Sequence, residues 1–368
     1  MEQRRLGSVF GPESSLMLKG IAIVMMIAHH CFRSPSLYKG YNVIFAPFAE
    51  QQVIKAASVC KICVSLFAFI SGYGLFLSHK KHRGTATSWA IQRYVKTFSG
   101  FWFIWVLSAV ICQLINGRTV KVLFKEGFGR GIMHSLIDCI GLAKLFDTPT
   151  LNGTWWYMSA AAFFILLLPI LFHFRNDLGL CFALWVFLLR IIFGHNGKDV
   201  FPGNNSIYPF VGIFILGCVF AQYDLFDKWI RLTQAKPVVK AIKLIAELCL
   251  LFLCFRLYSM LPLNLLCEFH FALFPLLFIL FCVEFILPIP FLKRPLSFLG
   301  RHSMNVFLTH TFFRVYYLKD FTYSRGHFIM IILVLLGISL LLSVILEWIK
   351  KLLRYECWFH RPNRSSSD

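Results

Sequence analysis

Apolar residues recur along the chain in long runs, broken by short stretches rich in Lys and Arg. A helix needs about 20 mainly apolar residues to cross the hydrocarbon core of a bilayer, and about ten runs approach that length. They lie at 16–32, 56–78, 97–115, 155–173, 179–194, 207–222, 241–259, 266–288, 297–318 and 327–349, the fifth and sixth being the weakest. Lipid offers the backbone no hydrogen-bond partner, so such runs have to be helices. The pattern predicts an all-α polytopic membrane protein with about ten transmembrane helices. The stretch 116–150 differs. There Val122, Leu123, Phe124, Phe128 and Leu136 alternate with polar residues, which predicts an amphipathic segment lying on the lipid surface. No internal repeat or soluble domain is visible, so 1–350 reads as one integral-membrane domain and 351–368 as a tail, frayed over 361–368.

Composition agrees and excludes other classes. Hydrophobic residues make up 58% and charged residues 15% of 368 positions, against about 45–50% and about 25% in soluble domains. With 41 Phe and a mean hydropathy of +0.69, a cytosolic enzyme, a disordered regulator and a disulfide-stapled secreted module are ruled out. The net charge of +20 would suit a nucleic-acid partner, but the bases are dispersed between apolar runs, and no nucleic acid is expected. They read as topology-setting charge. An even number of spans puts both termini on one side, where 22 Lys and Arg fall, against 11 on the other. The positive-inside rule makes both termini cytoplasmic. The start of the chain has no small-residue cleavage site, so no cleaved signal peptide is expected. Most of the 12 Cys fall inside apolar segments, where they act as small hydrophobes. Cys60 and Cys63 have CxxC spacing but no second ligand pair nearby, so no metal is expected.

Function is sought where ionisable groups stand at membrane depth, because each costs about 2.5–3.5 kcal/mol on insertion scales unless it faces protein or water. Lys19 and His30 are eleven positions apart in the first run. That spacing is close to three full turns, so both share a face, about 16 Å apart along the axis. A base near one mouth and an imidazole half a membrane deeper suit a cofactor with an anionic end, the imidazole handling a proton at the reactive end. A snorkelling Lys with a packed His is the alternative. Ser71, Gly72 and Gly74 form a small-residue patch where a helix or a ligand approaches closely. Arg93 and Lys96 are helical neighbours able to bind phosphate or lipid headgroups. Asn152-Gly153-Thr154-Trp155-Trp156-Tyr157 opens the fourth run with interfacial aromatics. In the ninth run His310 lies nine positions past Arg301, a depth matching that of His30, so two histidines are expected at one level. Ser303 shares its face but is about 10 Å away along the axis, which disfavours a Ser/His hydrolase. Glu247, Glu268, His270 and Glu284 lie in or beside the later runs, and any of them could orient a histidine.

Together these segments resemble the integral-membrane acyltransferase family 3, which includes O-acetyltransferases of bacterial surface polysaccharides. Lys19 and His30 match the family's basic residue, ten spacers and His. Phe67, Phe69, Ser71, Gly72 and Tyr73 match its Phe-rich run into Ser-Gly-aromatic. Arg93 and Lys96 match an Arg-x-x-Arg pair, with Lys replacing the second Arg's rigid fork by a point charge. Trp156 and Tyr157 match its Trp-Tyr, and Gly300, Ser303, Phe307, Leu308 and His310 its late motif.

The resemblance implies an acyl-CoA donor, acetyl-CoA first, and a hydroxyl of a cell-surface or lipid-linked polysaccharide as acceptor, in a multi-pass protein of the bacterial cytoplasmic membrane. His30 would be the general base, with an acyl-histidine as the mechanistic alternative. Lys19, Arg93 and Lys96 would hold the coenzyme phosphates, and His310 and Ser71 would line the site near the thioester, with no metal required. A proton-coupled transporter or flippase is the rival reading, weakened by the absence of repeats.

Overall fold

The computed structural model describes residues 9–173, 177–194, 207–232, 237–260 and 268–359. These fold into helices α1 (Pro12–Phe32), α2 (Glu50–Val59), α3 (Cys63–Lys81), α4 (Ala86–Asn116), α5 (Arg118–Leu123), α6 (Phe128–Cys139), α7 (Trp156–His173) and α8 (Leu178–Gly194). The rest of the chain gives α9 (Val211–Tyr223), α10 (Leu225–Arg231), α11 (Pro237–Met260), α12 (Phe274–Phe281), α13 (Pro290–Thr311), α14 (Lys319–Tyr323) and α15 (Phe328–Leu352). Among the described residues no strand forms, only an isolated bridge between Ile44 and His327. The frayed tail over 361–368 and the bases Arg4, Arg5, Arg175 and Lys198 lie outside the described residues.

Each of the ten apolar runs falls on a helix, but not all ten qualify as spans. Among the described residues six segments are long and apolar enough to cross a bilayer, or seven if α9 and α10, bent by 71°, count as one. The shortfall has physical causes. Helix α8 has 17 residues, and α11 carries Lys240, Lys243, Glu247 and Arg256. In α13 the polar residues Ser297, Ser303, Asn305, Thr309 and His310 are buried against protein. A helix surrounded by other helices can be polar where one surrounded by lipid cannot.

Boundaries follow local chemistry. Helix α1 starts at Pro12, whose fixed φ and missing N–H suit a first turn. Helix α4 begins eleven residues before its apolar run because the Thr85 hydroxyl accepts from the Ser88 N–H at 3.2 Å and caps it. Gly117, at φ 67°, ends it in the left-handed conformation. Arg93 and Lys96 therefore lie on a regular helix.

Two close approaches organise the interior. A Cβ at Gly20 would collide with the Leu296 carbonyl, and one at Gly300 with that of Leu16, so α1 and α13 touch backbone to backbone. Gly72 and Gly217 bring α3 and α9 together in the same way, against Phe214 and Phe69. Such contacts replace the hydrophobic effect as the cohesive force between helices in lipid. Helix α15 is fastened to α13 by a partly buried polar cluster. Asn305 Nδ2 donates to Glu347 at 2.7 Å, Lys350 donates to Glu347 at 2.8 Å, and His302 Nδ1 meets Ser343 at 2.8 Å. Wider π-helical turns interrupt the later helices at Phe269–Leu273, Cys282–Ile286 and Phe312–Tyr317. The second of these brings Glu284 to 2.5 Å from Lys243, which also lies 3.9 Å from Glu247.

Residues 118–151 pack along α4, Thr119 Oγ1 donating to the Ala109 carbonyl and the Tyr94 hydroxyl to that of Ile140. Asp138 is 1% exposed and accepts from Trp105 Nε1 at 2.9 Å and Leu151 N–H at 3.2 Å. Phe128, Ile132 and Leu136, spaced one turn apart, are 76%, 44% and 61% exposed. Helix α6 thus exposes an apolar stripe, while Leu123, counted with it in the sequence, is buried in the bundle.

Candidate active site

A cavity of about 530 Å³ lies between α1, α3, α4, α7 and α13. Lys19 and His30 both line it, so the shared face set by their spacing is the face turned inward. His29 reaches it too, although its Nδ1–H is spent on the Ala57 carbonyl at 2.8 Å. The middle of the wall is aromatic: the Tyr157 ring lies 6.2 Å from that of Phe67 and 5.9 Å from that of Phe307. Ser71, Gly74 and Ser303 supply its small residues. The small-residue patch on α3 thus divides its labour, Gly72 packing against α9 while Ser71 and Gly74 face the cavity.

His310 meets His30 with ring centroids 5.0 Å apart. Its position differs from the expectation in one respect, since it is fully buried behind His30 rather than on the cavity wall. Nδ1 of His310 lies 2.9 Å from the Phe307 carbonyl and 3.1 Å from that of Val306. Carbonyls only accept, so Nδ1 carries the proton and Nε2 is the bare nitrogen. The Thr311 hydroxyl is 3.2 Å from that Nε2. His30 has no such anchor: among the described residues its ring nitrogens make no hydrogen bond, and the aromatic rings packed on it are the imidazoles of His29 and His310.

The start of α7 is pinned beside this pair. Trp155 Nε1 and Asn152 Nδ2 both donate to the Leu308 carbonyl, at 3.0 and 3.2 Å, and Thr154 Oγ1 lies 3.2 Å from Thr311 Oγ1. Trp155 is therefore a buried strut, while Trp156 and Tyr157 face the cavity. Arg93 and Lys96 do not line it. Arg93 Nε donates to Ser78 Oγ at 2.7 Å, and Lys96 is exposed. Thr97, one turn beyond Arg93, is the position where α4 reaches the wall.

Sequence reasoning missed three neighbours of the histidines. Arg33 and Lys61 line the cavity beyond His30, and Arg314, 9% exposed, stands within electrostatic range of both His30 and His310. The available signal was a lysine inside an otherwise apolar run and an arginine one turn past His310. A second signal was the spacing Gly-x9-His, present at Gly20–His30 and again at Gly300–His310.

No curated protein and no solved structure matches the chain. A family model described as an acyltransferase domain, acyltransferase family 3, matches residues 17–348 and so takes in both histidines, Lys19 and the whole cavity. By that match the chain belongs to the integral-membrane acyltransferase family 3.

Proposed function

We propose that this acyltransferase moves an acyl group, acetyl first, from acyl-CoA to a hydroxyl of a cell-surface or lipid-linked polysaccharide at a bacterial inner membrane. The observation that carries the reading is the wall shared by Lys19 and His30, about 16 Å apart along α1, with His310 packed behind His30. The reading keeps ten spans and two cytoplasmic termini, which puts Lys19 toward the cytosol.

The coenzyme phosphates then sit near Lys19, with Arg93 and Lys96 assisting at the entrance, and the pantetheine arm lies along Phe67, Tyr157 and Phe307. This brings the thioester to His30, next to Ser71. The acceptor hydroxyl oxygen attacks the thioester carbonyl carbon while His30 takes the hydroxyl proton as general base. The C–S bond breaks as the tetrahedral intermediate collapses, and the imidazolium returns its proton to the departing sulfur. An ester and free coenzyme A leave. His310, locked in one tautomer by two backbone carbonyls, acts as a positioning residue that holds the His30 ring toward the cavity.

Mass spectrometry of surface glycans from cells with and without the chain tests this reading. A mass increment of one acyl unit, present only with the chain, is expected. Identical spectra together with uptake or counterflow of a glycan in proteoliposomes would replace the enzyme by a transporter.

A further inference from the structure

Three cations and two imidazoles line the cavity, and among the described residues no carboxylate does. Lys19 stands at one end. Arg33 caps the C-terminus of α1, about 21 Å further along its axis and about one turn past His30. Lys61 comes from the turn between α2 and α3 and lies over the Phe271 ring at 5.4 Å. A coenzyme with its phosphates at Lys19 and its thioester at His30 does not bring those phosphates to Arg33 and Lys61. Behind the histidines, off the cavity wall, stands Arg314, whose guanidinium bonds the Tyr323 hydroxyl while its buried Nε has no hydrogen-bond partner. Arg33 is exposed and Arg314 buried; like charges gathered at one end of a cavity repel one another, and an incoming opposite charge relieves that cost.

We propose that the His30 end of the cavity binds an anionic group, a carboxylate or phosphate, carried either by the acceptor beside the hydroxyl to be acylated or by the free end of the acyl chain. The identity of the carrier rests on the acyl-transfer reading; the anion site itself rests on Arg33 and Lys61 at the wall, with the charge of Arg314 behind them. Because Arg33 is one turn from His30, the anion lies within a sugar ring's width of the reacting carbon. Acceptor and acyl chain therefore both reach it.

The test uses the full chain in nanodiscs of neutral lipid, which removes headgroup anions. In one arm, succinyl-CoA and acetyl-CoA compete for the site of radiolabelled coenzyme A. In the other, binding of methyl glucuronide is compared with that of methyl glucoside by saturation-transfer NMR. At least a tenfold preference for the anionic probe is expected in one arm, which identifies the carrier. Arg33→Gln with Lys61→Gln reduces that preference below threefold, and Arg33→Lys retains it. Equal binding in both arms, or a preference that survives the double substitution, overturns the anion site. Loss of coenzyme A binding with the glucuronide preference intact would instead remove the acyl-transfer reading and leave this site standing.

Discussion

His30 and His310 face each other at 5.0 Å because α1 and α13 run parallel and in register. Ten residues before each histidine comes a glycine, Gly20 or Gly300, at which the two backbones touch. The glycines set the helix separation and the histidines inherit it, about 15 Å away along the axis.

Gly20→Ala and Gly300→Ala are therefore expected to damage both stability and chemistry. The added methyl meets a backbone carbonyl, which cannot yield as a side chain can. Overpacking of this kind costs about 1–3 kcal/mol, visible as a lowered Tm, and acyl transfer falls with the widened imidazole pair. Gly74→Ala has nothing within 4 Å of its new methyl, so its Tm is expected to match the wild type.

The proposed phosphate role sets Lys19 and Arg93 apart. Lys19 faces the cavity directly, so Lys19→Gln is expected to weaken coenzyme A binding more than tenfold, about 1.4 kcal/mol or more. Arg93 is tied to Ser78, one turn from the wall. If it swings onto phosphate, Arg93→Ala also exceeds tenfold in isothermal titration. Unchanged binding would return Arg93 and Lys96 to lipid anchoring.

Asp138 gives a pH signature outside the spans. Burial raises its pKa above the usual 3.8, and this outweighs its hydrogen bonds with Thr150, Trp105 and Leu151, which act the other way. A carboxyl with a raised folded pKa holds its proton longer in the folded state than in the unfolded one. Its stability contribution is therefore present below about pH 3.8 and is lost as pH rises through the folded pKa. Asp138→Asn keeps an oxygen acceptor and removes the titration. The Tm of the variant relative to wild type should rise between pH 4 and pH 7. A constant difference would contradict this assignment.

The exposed stripe Phe128, Ile132 and Leu136 is expected to lie at the headgroup boundary. A tryptophan placed there by Leu136→Trp should be quenched by lipids brominated near the headgroup, and less by lipids brominated deep in the chains. Quenching by aqueous iodide alone would place α6 in water.

Much of this was legible in spacing. The eleven-position step from Lys19 to His30 fixes a common face whatever the tertiary structure, and the matched depths of His30 and His310 needed only two parallel helices. Three kinds of feature were not legible. Partition between wall and interior is tertiary, so His310 behind His30 and Arg93 away from the cavity could not be read from a one-dimensional pattern. The π-helical turn that carries Arg314 leaves no periodic signature in the sequence. Of the ten spans expected, length and composition support six or seven among the described residues, since α11 and α13 hold charged residues that apolar neighbours mask in a sliding reading.

The central claim is that His30 performs the proton transfer in a coenzyme-filled cavity. Purified protein in nanodiscs, given acyl-labelled acetyl-CoA and the glycan acceptor, tests it through His30→Ala. The account predicts that label transfer falls at least about 100-fold, the lower range for general-base removal, while coenzyme A binding and Tm stay near wild type. Transfer at the wild-type rate by that variant would contradict it.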